Sequence, residues 1–360
     1  MPATTMTRLV LLSLEPWDDV WRRNQHLLSA LVRCGVVEQA VYVNPPIHRG
    51  RPSWQQPLPC VRVFQPVQHI PSRGGGLSVL GWLLRRDLVA GADVLWVNNA
   101  DLGRYCLVPG VPALYDVTDD WRTADMPARG RRRLVAAEDW LATRATTVVC
   151  SAELQHRWRQ RYGVEATVVL NAVDVGAYAH ASPLALPGPG PHVGYVGTLH
   201  EWRIDVDLVA DVAKTGPGTV HLVGPDLLES RHHKVLDAAG VLRHGAVQAT
   251  DVPRWLTSFD VLLSPHRVTP FTRSLDAIKR WEYLAARRPI VATPTSGFEH
   301  LVDPGVSIAE GRAFREAVRD VLASPVTPAT HPADWKDRAS DMAAVLDALV
   351  TSEGGCWHGK

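Results

Sequence analysis

Short runs of consecutive apolar residues alternate along the chain with longer stretches in which apolar positions recur every three or four residues. Unbroken runs suit strands buried on both faces, and the longer period suits helices that cover them, so the pattern predicts a parallel α/β architecture. In the first half the runs predict strands over Leu9–Leu14, Ala40–Asn44, Val94–Val97, Ala113–Val117 and Thr147–Cys150. Helices are predicted over Asn24–Arg33, Leu77–Leu88, Arg132–Leu141 and Glu153–Tyr162. The second half restarts the alternation, with strands over His192–Val196, Val220–Val223, Val261–Ser264 and Pro289–Thr293, and helices over Arg203–Ala213, Val252–Phe259 and Leu275–Ala286. A last helical pattern covers Trp335–Leu349. Between the halves, Ala181–Pro191 holds four prolines and two glycines, a composition that breaks regular structure and predicts a linker.

The expected organisation is an N-terminal Rossmann-like domain over 1–180, a Pro/Gly linker over 181–191 and a second Rossmann-like domain over 192–334. A C-terminal helix and tail over 335–360 are expected to pack back on the first domain. Two such domains facing across a cleft would present the carboxyl ends of their strands to it, where open α/β sheets bind ligands.

Composition narrows the function. Lys and Arg total 38 against 37 Asp and Glu, a net charge of +1, which argues against a dedicated nucleic-acid binder. Residues 1–180 hold 20 Arg and no Lys against 16 acidic residues, so what basic excess exists lies there. The five cysteines are scattered and form no CxxC pair, which argues against a cysteine zinc site or a disulfide framework. No apolar run approaches the roughly 20 residues that span a bilayer, and the expected location is cytoplasmic. The arginines of 129–133, with Arg157, Arg159 and Arg161, are either a solvated face or a peripheral contact with the inner face of a membrane. Neither a GxSxG elbow nor an HExxH pair is present.

Two stretches of the second half combine features that chemistry needs. In His192–Leu208 a strand ends at Gly197, a short loop follows, and a helix is expected to begin near Arg203; glycine there lets a ligand approach the backbone, and the helix start offers N–H groups to an anion. In Phe259–Thr293 a buried strand leads into a cationic loop and then a helix expected to be capped by Ser274 or Asp276. Lys279 and Glu282, three apart, share one face of that helix and flank its apolar stripe.

These stretches resemble the retaining GT-B-fold glycosyltransferases of the large GT4-like group, and within it the teichuronic-acid-type subset. The resemblance rests on Gly194–Asp205 and Asp276–Thr293, and on Trp21–Gln25, Tyr115–Trp121, Ala137–Leu141 and Val168–Asp174 in consistent order. It implies a C-terminal domain that binds a nucleoside diphosphate sugar as co-substrate, with UDP the expected nucleotide and GDP or dTDP the alternatives, and no further cofactor or metal. By the same resemblance Arg203 and Lys279 would hold the diphosphate, Glu282 the ribose hydroxyls, and the backbone of Leu242, Arg243 and His244 the base. Gly197 and Thr198 would form the glycine loop. The pattern's second glutamate is replaced by Ser274, before Leu275, and an arginine usual after the loop glycine is replaced by Thr198; Arg267 and Arg273 are the cations placed to compensate.

The resemblance assigns the acceptor to the N-terminal domain, where Glu15, Trp17 and Asp18 follow the first strand and Asp116 and Asp119 follow the fourth. Helix capping is an equal reading for Asp119 and its neighbour Asp120. Trp17, Trp121 and Trp202 are the tryptophans best placed for sugar stacking. The implied activity is sugar transfer to a hydroxyl, or less readily an amine, of a small-molecule, glycan or lipid-linked acceptor, with retention at the anomeric carbon. The alternatives are a nucleotide-sugar epimerase of the same fold and a noncatalytic nucleotide-sugar-binding scaffold.

Overall fold

The computed structural model describes residues 6–295 and 297–352, and the chain divides into two compact units. The first holds residues up to Leu170 together with those from Trp335, and the second holds Asn171–Asp334. The first unit contains, in chain order, β1 (Met6–Leu12), α1 (Arg23–Arg33), β2 (Val37–Val43), β3 (Ser53–Leu58), β4 (Val61–Gln65), α2 (Gly76–Asp87) and β5 (Val94–Val97). It continues through α3 (Ala100–Gly103), β6 (Ala113–Val117), α4 (Ala128–Leu141), β7 (Thr146–Val149), α5 (Ala152–Tyr162) and β8 (Thr167–Val168). Its sheet runs β3-β4-β2-β1-β5-β6-β7-β8, with only the β3–β4 pairing antiparallel.

The second unit contains α6 (Val175–Ala179), β9 (His192–Val196), α7 (Val206–Thr215), β10 (Thr219–Val223), α8 (Ser230–Ala238), β11 (Leu242–Arg243) and α9 (Val252–Ser258). Then come β12 (Val261–Ser264), α10 (Pro270–Ser274), α11 (Ile278–Ala286), β13 (Ile290–Ala292), β14 (Val306–Ile308) and α12 (Gly311–Ala323). Its sheet is wholly parallel, in the order β11-β10-β9-β12-β13-β14. This is the doubly wound Rossmann order, in which chain direction reverses beside the first strand; here the switch point lies between β9 and β12. The central strands are buried on both faces, as their unbroken apolar runs require.

The last helix, α13 (Trp335–Ser352), belongs to the first unit and lies on α1, with the Trp335 indole stacked 5.0 Å from the His26 ring. Burial of that imidazole pushes its pKa down to about 4. The expected tail beyond residue 352 lies outside the described residues.

Three expectations need correction. The Pro/Gly stretch does not stand between the units, because the division falls at Leu170 and the stretch is tied into the second unit. Leu184 N donates to Ser258 Oγ (2.6 Å) and Thr219 Oγ1 donates to the Pro189 carbonyl (2.8 Å). The helix expected near Arg203 starts three residues later, since Asp205 caps it by accepting from Leu208 N at 3.0 Å. The helix expected over Leu275–Ala286 is broken into α10 and α11, and neither Ser274 nor Asp276 caps α11, whose N-cap is Ala277. Asp276 is instead buried, accepting from Asn171 N (2.6 Å) and Trp281 Nε1 (3.2 Å) and pairing with Arg280 at 3.0 Å.

Candidate functional site

At the carboxyl end of β9 the backbone is bare. Gly197 adopts φ +148°, and a Cβ there would strike the Lys279 side chain; Gly224, following β10 with φ +137°, would strike the Gly197 backbone with its own Cβ. Conformation favours glycine at both positions, and at Gly224 the contact with backbone requires it by space as well. The space that Gly197 leaves open is filled by the Lys279 ammonium, which also lies 5.2 Å from the Tyr195 ring centroid.

The loop from Gly197 to Asp205 is fixed against the loop after β12. Asp205 N donates to the Pro265 carbonyl (2.8 Å), Arg267 N to the Arg203 carbonyl (2.7 Å) and Arg267 Nε to the Ile204 carbonyl (3.3 Å). These bonds close the switch point between β9 and β12 and hold Arg203, whose guanidinium lies 4.4 Å from the Trp202 ring and 5.4 Å from that of Phe271. His266 is buried beneath, with Nε2 3.3 Å from Tyr195 Oη. Its pKa is pushed down to about 3, chiefly by burial and then by the charges of Lys279 and Arg203. Both cations therefore act on one buried imidazole.

One turn along α11 from Lys279, Glu282 is half-buried; burial raises its pKa while the nearby Lys279 charge lowers it. The structure thus brings together Gly197, Arg203, Arg267, Lys279 and Glu282. The Ser274 hydroxyl is buried and donates to the Phe271 carbonyl (2.7 Å), and Leu275 is half-buried at the end of α10. Arg273 is exposed and faces Glu299 at 3.8 Å. In β11 and beyond, backbone groups expected to meet a base are used by the sheet: His244 N donates to the Leu222 carbonyl (2.9 Å), and the Gly245 carbonyl accepts from Gly224 N (2.7 Å). Arg243 is paired with Asp226 and Asp237, while Thr198 offers its carbonyl to Tyr195 Oη at 3.4 Å.

In the first unit, Asp116 departs from its expected acceptor role. It is buried and held by two Arg23 nitrogens at 3.0 and 3.2 Å, which leaves it no access to a hydroxyl from solvent. Glu15 and Asp18 both pair with Arg22, at 3.4 and 3.0 Å, and Trp17 lies edge-on to Tyr42. Asp119 is half-buried and accepts from Thr118 Oγ1 (2.9 Å), whereas Asp120 is buried against Arg157 at 2.8 Å. What sequence reasoning missed is a buried polar cluster at the switch point between β1 and β5: Asn24 Nδ2 donates to Ser13 Oγ and to Asn98 Oδ1, each at 2.8 Å. The stretch Trp21–Gln25 was its signal, because two arginines and two amides at the start of a helix facing a sheet require buried partners.

Residues 190–324 match the model of the family glycosyl transferases group 1. That segment takes in the whole cationic site. The putative teichuronic acid biosynthesis glycosyltransferase TuaH of Bacillus subtilis is 24% identical over 232 residues, 56% of this chain. The chain spans 58% of the length of that curated relative. Among solved structures, sucrose-phosphate synthase from Thermosynechococcus elongatus superposes with a TM-score of 0.72 at 14% identity, covering 97% of each chain. Anabaena HepE in complex with UDP-glucose gives 0.62 at 14% identity, covering 97% of this chain and 99% of the other. The chain therefore has the two-domain α/β fold of GT-B glycosyltransferases. Among the described residues, no helix is long and apolar enough to cross a membrane.

Proposed function

We propose that the chain is a glycosyltransferase that moves a sugar from a nucleoside diphosphate sugar to an acceptor hydroxyl. The observation that carries this reading is the Lys279 ammonium seated over the bare backbone of Gly197, with Arg203 beside it, at the carboxyl edge of a doubly wound sheet. A diphosphate needs such a place: cations gathered on a glycine loop at the carboxyl edge of the sheet. The match of residues 190–324 to the group 1 family supports it, as does the UDP-glucose bound to HepE.

In this reading Arg203 and Lys279 stabilise the charge that develops on the diphosphate as the sugar's C1–O bond breaks, with Arg267 and Arg273 at the rim. Glu282 accepts hydrogen bonds from the ribose, and the Leu242–Gly245 segment borders the base. The acceptor oxygen forms the new bond to C1 on the face the diphosphate leaves, and its proton passes to a leaving phosphate oxygen, so the anomeric configuration is retained. UDP is the nucleotide we assign. No metal takes part, and the acceptor is a small molecule, a glycan or a lipid-linked glycan. The protein works in the cytoplasm, with the arginines of α4 and α5 available to the membrane's inner face.

The test is turnover. Lys279→Ala and Arg203→Ala are each expected to lower it by about tenfold or more with the melting temperature unchanged, the scale of losing one charge-stabilising contact. EDTA is expected to leave the unmutated enzyme's rate as it was. Unchanged turnover in both variants would contradict the assignment of the phosphate clamp.

A further inference from the structure

A cavity of about 820 Å³ opens on the carboxyl edge of the first unit's sheet, and none of the residues so far considered for the acceptor lines it. Its wall is built by the loop after β2, through His48, by the loop after β4, through Gln68, His69 and Ser72, and by the start of α4, through Arg129 and Arg133. The size suits one or two sugar rings carrying a further group. Gln68 is buried, and its amide nitrogen donates to the Ile70 carbonyl (2.9 Å) and Ser72 Oγ (3.0 Å), so the wall on that side is preformed. Among the described residues, no carboxylate lines the cavity.

The charges on the opposite wall break a rule. The N-terminal end of a helix is the positive end of its dipole and favours acidic residues or a capping side chain. Here α4 starts after Pro127 with no side-chain cap, has no acidic residue in its first turn, and places arginines at 129, 131, 132 and 133. Arg131 is used to hold the Ala124 and Met126 carbonyls, and Arg133 pairs with Asp101 at 2.7 Å. Arg129 is exposed at the cavity and has no ion-pair partner among the described residues. Cations gathered where the backbone is already positive are unfavourable unless an anion joins them, and violations of this kind mark functional positions.

We propose that this cavity binds the phosphate-bearing head group of an anionic acceptor, with Arg129 as its principal contact. Its role as the acceptor site rests on the transferase reading; its capacity to bind a phosphate ester does not. The head group can come from a soluble sugar phosphate or from a lipid, and two probes separate these sources.

The full chain is first saturated with UDP to fill the second unit, then titrated with glucose 1-phosphate by calorimetry. In parallel it is co-sedimented with phosphatidylcholine vesicles containing phosphatidic acid. Arg129→Glu and Arg129→Ala are compared with Arg132→Glu, which makes the same charge change on the same helix outside the cavity wall. Binding of either probe that falls tenfold or more in both Arg129 variants and stays within twofold in Arg132→Glu supports the proposal and names the source. Equal losses in Arg129→Glu and Arg132→Glu, or no binding of either probe, overturn it. A chain that binds glucose 1-phosphate through Arg129 but never binds UDP keeps this anion site and loses the transferase reading; the reverse result removes only the anion site.

Discussion

Two residues carry the account at its finest scale. Lys279 owes its position to the missing side chain of Gly197, and Gly197 in turn lies on Gly224, so three side-chain choices on different elements fix one ammonium. Gly197→Ala strains a backbone at φ +148° and displaces the lysine head. The variant is expected to bind UDP at least tenfold more weakly, as calorimetry measures directly; unaltered affinity would mean that Lys279 does not meet the nucleotide. These residues were visible in the sequence as motifs, but their contact was not, because no spacing rule joins positions so far apart. Asp116 shows the opposite failure. Read as following the fourth strand it is expected to face a ligand, yet it lies within β6, where Arg23, 93 positions earlier, buries it.

Among the elements, strands with unbroken apolar runs were the most legible: Val94–Val97, Ala113–Val117, His192–Val196 and Val261–Ser264 have the bounds the sequence predicts, since burial on both faces leaves one solution. The β3–β4 hairpin was missed because β3 is an exposed edge strand with no apolar run, and α12 because it buries only Phe314 and Val318. The neighbouring strands β9 and β10 and the end of β11 also carry a chain of histidines. His221 lies between His192 and His244 at 3.0 Å from each, and burial, then those two neighbours, push its pKa down to about 4 from an ordinary 6.5. The folded state thus refuses a proton that the unfolded chain accepts, so this stability is fully present above about pH 6.5 and is lost as pH falls toward 4. His26 and His266 act in the same sense, against Glu138, whose carboxyl is pushed up to about 7 and whose contribution is lost as pH rises. The melting temperature is expected to fall between pH 7 and 5, and to fall less in His221→Asn. Equal melting temperatures at the two pH values in the unmutated protein would contradict this.

For the whole molecule, the two units share a doubly wound plan but differ in the chemistry at their carboxyl edges. The second unit converges Lys279 and Arg203 on a glycine backbone; the first neutralises Asp116, Glu15 and Asp18 with arginine and leaves a cavity edged by Arg129. On the proposed reading, the second unit takes a diphosphate and the first an anionic acceptor. The most direct test of that division is a calorimetric titration of UDP into the unmutated protein and into Lys279→Ala. The account predicts saturable binding at one site, weakened by about tenfold or more in the variant, the loss expected for one hydrogen bond to a charged group. The same affinity in both proteins, or no binding in either, would contradict it.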